Sequence, residues 1–202
     1  MFNKYASSYQ EQYMSVDLYK TTLNEFCNNL PKENAFVLDV GCGPGNVSQY
    51  LLQQCSGFNI LGIDIAPNMI TLAEKNNPSA TFKVMDALSL PKLNTTYDGI
   101  VCAFLLPYLS KEQAIEFIHS AVNLLKKDGL LYISTMEDLN INSKFQGASQ
   151  NKNDQLFINY HEMDYLTHAL KENNLDIILS TQQEFHQKDG TTTTDLILIA
   201  KK

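Results

Sequence analysis

Apolar positions along the 202-residue chain change period several times, and each change marks an element. Val16, Tyr19, Leu23, Phe26 and Leu30 recur at spacings of three and four, which predicts an amphipathic helix over 11–30, ended by Pro31. Upstream, Tyr5, Tyr9 and Tyr13 fall every fourth residue and share one face if that segment is helical. The reading shifts at 36–40, a short Val-rich apolar run suited to a strand covered on both faces. Further strands are expected at 59–64, 81–85, 100–104, 130–134, 175–181 and 194–200. Helices are expected between them, through Val47, Tyr50 and Leu51, through Met69, Ile70 and Ala73, through Ala114, Phe117, Ile118 and Ala121, and over 160–171. Strands alternating with helices predict an α/β chain with a largely parallel sheet.

Punctuation sharpens several of these boundaries. Asn46 is placed to cap the helix that follows the glycines, and Pro67 sits in the first turn of the next one. Ser110 and Gln113 match a capping box, and Lys126, Lys127, Asp128 and Gly129 read as a helix end with Gly129 as the C-cap. Residues 137–158 interrupt the rhythm with Asn, Gln, Ser, Lys and Gly, so 140–154 are expected to be mobile. A turn near Lys188, Asp189 and Gly190 should join the last two strands as a hairpin, adding an antiparallel strand.

The stretch 36–45 organises the chain, because an apolar strand runs into Gly41, Gly43 and Gly45 and then into a helix. A loop without Cβ atoms lets a ligand lie against the main chain, close to the free N–H groups of the helix start. A dinucleotide fingerprint would need its third glycine at position 46, which is Asn46, and no Gly-Lys-Ser/Thr follows to make a phosphate loop. Asp64 closes the second strand 19 residues after Gly45, where a carboxylate can accept from a ribose diol; its simpler role is to cap the next helix. Asp86, followed by Ala87, closes the third strand and is open to reading as a plain turn residue.

Composition narrows the setting. A hydrophobic share of 44% lets 202 residues bury a core as one domain, 1–202. The net charge of -7 disfavours a surface that tracks nucleic acid. Cys27, Cys42, Cys55 and Cys102 form no C-x-x-C pair and read as reduced thiols of a cytoplasmic protein. The start of the chain has no apolar leader core, and the longest apolar run, 100–106, is too short to span a bilayer. His161 and His168 would lie about 10.5 Å apart along a helix, too far for one metal, so no metal site is expected.

Asp39 with Gly41, Gly43 and Gly45, then Asp64, Asp86 with Ala87, the 100–109 segment and the passage 124–134, all in this order, resemble the motifs of class I S-adenosylmethionine-dependent methyltransferases. The resemblance implies a Rossmann-like, doubly wound, mostly parallel seven-stranded sheet with a terminal antiparallel strand and helices on both faces. It implies S-adenosylmethionine as cofactor, leaving S-adenosylhomocysteine, with a small-molecule acceptor. Carried onto this chain, it places the cofactor against Asp39, Gly41, Gly43, Gly45, Asp64, Ile65, Asp86, Ala87, Ala103 and Phe104, under a 1–30 lid bearing Tyr9 and Tyr13. The alternative for those tyrosines is an aromatic edge packed on the first helix. The 103–108 segment lacks the polar head that amino- and base-methylating relatives carry there, so methylation of DNA bases is not expected. His161 and Tyr160 are candidate proton acceptors, with a surface position as the alternative for His161. A cofactor-binding but catalytically silent subunit of a hetero-complex is a second reading of the apolar loop 104–109, and a nicotinamide oxidoreductase a third.

Overall fold

The computed structural model describes residues 1–148, 151–186, 190 and 192–202. Its centre is a seven-stranded sheet of order β3-β2-β1-β4-β5-β9-β8, with β1 Phe36–Val40, β2 Asn59–Asp64, β3 Thr81–Val84, β4 Tyr97–Ala103, β5 Leu125–Glu137, β8 Asp176–His186 and β9 Thr192–Lys201. All neighbours are parallel except β9, which runs antiparallel to both β5 and β8. The turn expected to join β8 and β9 falls on 187–189 and 191, outside the described residues.

Helices cover both faces. One face buries Val37, Val101, Tyr132, Ile197 and Ile199 against α2 Lys20–Asn28 and α3 Asn46–Gln54. α4 Pro67–Asn76 covers β2 and β3 on the same side. The other face buries Leu38, Ile100, Ile133 and Leu198 against α5 Lys111–Leu124 and α6 Met163–Glu172. With both faces covered, the central strand β4 carries no alternation, and its residues Ile100, Val101 and Cys102 are fully buried.

The structure corrects several local expectations. The helix over 11–30 is two elements, α1 Ala6–Tyr13 and α2, separated by a 3-10 turn at Asp17–Tyr19. Tyr5, Tyr9 and Tyr13 thus belong to a separate arm rather than to the edge of α2. Asn46 does not cap α3; Gly45 takes that place in a left-handed conformation, and Asn46 donates instead to the Tyr13 carbonyl at 2.9 Å. Gly129 is not a C-cap, since the chain extends from Leu125 onward and Asp128 takes the positive φ of 64°. α6 begins at Met163, so Tyr160 and His161 precede it. Within 137–158, expected to be mobile over 140–154, β6 Lys144–Ala148 and β7 Asn151–Ile158 pair as a separate two-stranded sheet. The Ser110 and Gln113 capping box forms as read.

Candidate functional site

Strand order reverses between β1 and β4, and their carboxyl ends open a crevice at that switch point. β1 delivers the glycine loop to it. The amides of Gly41 and Cys42 donate to the Ile63 carbonyl at 2.8 and 2.9 Å, which folds the loop over the end of β2. Asp64 then ties two loops together. Its Oδ2 accepts from the Gly43 amide at 3.0 Å and its Oδ1 from the Ala66 amide at 2.8 Å, just before Pro67 begins α4. Burial raises the Asp64 pKa, and the two amide donors oppose the shift. Each carboxylate oxygen keeps acceptor capacity beyond the one amide it binds.

The three glycines have different surroundings. A Cβ on Gly43, at φ +52°, would meet only the Tyr9 ring, at 3.8 Å, so this residue leaves open space on the crevice side of the loop. A Cβ on Gly45, at φ +80°, would stand 2.4 Å from Asn77 Nδ2 and 3.2 Å from the Ala73 Cα. Gly45 is therefore a packing glycine that lets α4 approach. Asn77 completes that contact by donating to the carbonyls of Gly45 and Ala73 at 3.0 and 3.2 Å.

Asp39 lies beneath the loop rather than in the crevice. It is 1% exposed and accepts from Ser48 Oγ at 2.6 Å, and burial pushes its pKa up to about 6. Ile65 is exposed at the rim. Asp86 is exposed and accepts from the Leu88 amide at 2.9 Å, starting the 3-10 turn Ala87–Lys92, with Ala87 buried. On the other side of the crevice β4 ends at Ala103. Phe104 follows at φ +56° and donates its amide to the Ser134 carbonyl at 2.9 Å.

α1 lies across this crevice. Its Tyr9 ring sits over Gly43 and meets the Tyr13 ring at a 45° tilt, centroids 4.7 Å apart, while Phe2 meets Tyr108 at 4.7 Å. Polar contacts hold the arm. Asn68 donates from its amide and side chain to Asn3 at 2.8 and 2.7 Å, and Asn76 donates to Gln10 at 2.8 Å. Lys4 reaches Asp154 on β7 at 2.6 Å, and the Tyr5 hydroxyl donates to the same carboxylate. The arm and the β6-β7 hairpin are thereby fastened to each other.

His161 is fully buried, and both ring nitrogens are engaged. Nε2 must carry the hydrogen, since it faces the Leu106 carbonyl at 2.7 Å, and Nδ1 accepts from the Tyr165 hydroxyl. Burial lowers its pKa, which keeps the ring neutral. Tyr160 is buried as well, its hydroxyl accepting from Gln146 at 3.3 Å. Both residues brace the 104–109 loop and the hairpin from behind.

Sequence reasoning missed Tyr19 and Asp195. Tyr19, read as part of a helical stripe, donates its hydroxyl to Asp195 Oδ2 at 2.6 Å, and its ring lies 5.1 Å from Phe104. Asp195 is 3% exposed, on the stretch of β9 that pairs with the end of β5. The available signal was an acid placed just before the apolar run 196–200. Among the described residues, no three His, Cys, Asp or Glu side chains gather to hold a metal, and no helix is long and apolar enough to cross a membrane.

Comparison with known proteins decides what this geometry belongs to. The methyltransferase domain family matches residues 37–129, from β1 into the start of β5. The matched segment is 93 of the 202 residues, and over it the chain is similar to S-adenosylmethionine-dependent methyltransferases. An uncharacterized methyltransferase of Alkaliphilus oremlandii is 29% identical over 135 residues, covering 61% of each protein. The chain spans from 37% to 61% of the length of the first curated relatives it matches. An S-adenosylmethionine-dependent methyltransferase from Methanosarcina mazei superposes with a TM-score of 0.74 at 21% identity, covering 87% of this chain and 95% of that one. A Burkholderia thailandensis 1,6-didemethyltoxoflavin-N1-methyltransferase, solved with S-adenosylhomocysteine, superposes at 0.72 and 20% identity over 100% of this chain and 86% of its own. At these identities the two structures speak for the methyltransferase fold.

Proposed function

We propose that this protein transfers a methyl group from S-adenosylmethionine to a small-molecule acceptor. The observation that carries this reading is the junction at Asp64, where one carboxylate ties the bare glycine loop to the start of α4 at the switch point of the sheet. The residues present fit the cofactor, because Gly43 leaves space on the loop where a side chain would stand and Asp64 has lone pairs left for two ribose hydroxyls. Asp86 and the Ala87 amide would hold the adenine edge. Ala103, Phe104 and Tyr9 would flank the sulfonium, with aromatic faces favouring the cation by about 0.5–2 kcal/mol. The cofactor supplies an electrophilic methyl group. The chain's own task is alignment of donor and acceptor and exclusion of water, with α1 and its Tyr9 and Tyr13 as the cover over 1–30.

The net charge of -7 supports a small acceptor over nucleic acid, and four free cysteines, three of them buried, suit a reducing cytoplasm. The 1,6-didemethyltoxoflavin enzyme is a fold neighbour that acts on a small molecule. A catalytically silent subunit is the second reading, resting on the apolar loop 104–109; turnover by the lone chain would eliminate it. Calorimetry with S-adenosylhomocysteine tests the cofactor assignment. Wild type should bind, and Asp64→Ala should weaken binding about 30-fold or more, the equivalent of about 2 kcal/mol for hydrogen bonds to a charged group. No binding by folded wild type would sink the proposal.

A further inference from the structure

We propose that Tyr19 and Asp195 form a proton relay on the acceptor side of the crevice, and that the acceptor is an aromatic hydroxyl. The proposal rests on the methyltransferase reading above and deepens it.

Three features bring the pair to this place. β9 runs antiparallel to β5, so its beginning lies at the carboxyl edge of the sheet, and Asp195 pairs there with Met136. Tyr19 enters from the turn between α1 and α2, lies half-buried, and places its ring 5.1 Å from Phe104, the residue that ends β4. Tyr9, the ring above Gly43, is close enough to Tyr19 for its phenol to disfavour Tyr19 ionisation. The loop, Tyr9, Tyr19 and Asp195 therefore run in sequence from the cofactor side to the far wall.

The rings define what the wall can take. Tyr19, Phe104, Tyr9 and Tyr108 are all partly accessible around this edge, and flat partners stack on or meet such rings edge-on. A phenol must lose its proton to become a good nucleophile, and the pair provides the route. The phenol's proton passes to Tyr19 Oη as the Tyr19 proton passes to Asp195 Oδ2. The freed lone pair forms the bond to the methyl carbon, and the carbon–sulfur pair withdraws onto sulfur, which becomes neutral. The carboxyl ends protonated and returns its proton to water after product leaves. Tyr19 touches the substrate; Asp195 acts through it, as the positioning residue and proton sink.

Burial pushes the Asp195 carboxyl up to about 6, against the lowering effect of the Tyr19 hydrogen bond. Among the described residues, Tyr132 on β5 also faces it; its hydroxyl bonds with Thr22 on α2 at 3.0 Å, and burial raises its pKa to about 12. Its register neighbours Met136 on β5 and Gln183 on β8 do not ionise. Asp195 is thus ionised, and able to receive a proton, above about pH 6.

The test uses p-cresol, a phenol that stays protonated through neutral pH. Wild type should bind it once loaded with S-adenosylhomocysteine, and with S-adenosylmethionine should form 4-methylanisole at a rate that rises with pH through about 6. Tyr19→Phe and Asp195→Asn should keep S-adenosylhomocysteine affinity within about threefold and each lower kcat about 100-fold with little change in KM. The limb near pH 6 should vanish in Asp195→Asn. Carbon-13 NMR of the Asp195 carboxyl gives a readout free of turnover: its midpoint should lie near 6 and rise in Tyr19→Phe. A carboxyl titrating in the ordinary range overturns the relay. So does p-cresol that neither binds nor reacts on protein that binds S-adenosylhomocysteine, or a Tyr19→Phe variant as active as wild type. Failure to bind S-adenosylhomocysteine at all is a separate result, and removes the cofactor reading itself.

Discussion

Replacing Gly45 by alanine should damage the fold, while the same change at Gly43 should damage the ligand site. At Gly45 the φ of +80° costs an L residue about 1–2 kcal/mol. The new Cβ also lands 2.4 Å from Asn77 Nδ2, so that amide must swing away from the Gly45 and Ala73 carbonyls it now serves. Two hydrogen bonds at about 1 kcal/mol each bring the expected loss to about 3–4 kcal/mol. Ala73 Cα at 3.2 Å adds a backbone neighbour that yields only if α4 shifts. At Gly43 the φ penalty is similar, but no neighbour lies nearer than 3.8 Å. Gly43→Ala should therefore lose about 1–2 kcal/mol of stability yet lose S-adenosylhomocysteine binding, because its methyl fills the space against which the cofactor is proposed to lie. Urea unfolding followed by circular dichroism, with calorimetry on both variants, separates the two effects. A Gly45→Ala protein less destabilised than Gly43→Ala would refute the reasoning.

Two further predictions concern buried ionisable groups. The Asp39 pKa of about 6 lies above its ordinary 3.8, so the folded state holds this proton more tightly than the unfolded chain. The associated stability is complete below about pH 4 and is lost as pH rises through about 6, so the ligand-free protein should melt at lower temperature at pH 7 than at pH 5. Asp39→Asn, which still offers Ser48 an acceptor oxygen, should remove that dependence, about 1.4 kcal/mol between pH 5 and pH 7; an unchanged difference in calorimetric melts would remove Asp39 as its source. His161→Ala should cost about 3 kcal/mol by leaving the Leu106 carbonyl without its buried donor. It should leave the limb near pH 6 in place, and loss of that limb would return His161 to the list of proton acceptors.

The sheet, and the glycine loop and acids that its strand ends carry, were legible because their signals are local. A short apolar strand ending in alternate glycines, and an acid closing each of the next two strands, are patterns within ten residues of sequence. What periodicity could not show was depth. Asp39 and Asp64 look alike as acids at strand ends, yet one is sealed under the loop with Ser48 and the other sits beside open main chain. The apolar stripe through Val16 and Tyr19 continued across a break at 14–16 that no proline or glycine marks. Gly129 attracted a C-cap reading, but the helix already ends at Leu124 with Leu125 as its cap, and the positive φ falls on Asp128 inside β5. Tyr19 and Asp195 lie 176 positions apart, and only the antiparallel insertion of β9 beside β5 brings them together.

The arm α1 has a consequence for traffic into the crevice. Asn3, Gln10 and Tyr13 are bonded to Asn68, Asn76 and Asn46, while Lys4 and Tyr5 hold Asp154 across on β7. In this arrangement Tyr9 rests on the glycine whose bare face a ligand would need. Entry and exit must then wait for these contacts to part. Association becomes a two-stage event whose observed rate levels off at high ligand concentration, with the ceiling set by the protein's own opening and not by diffusion.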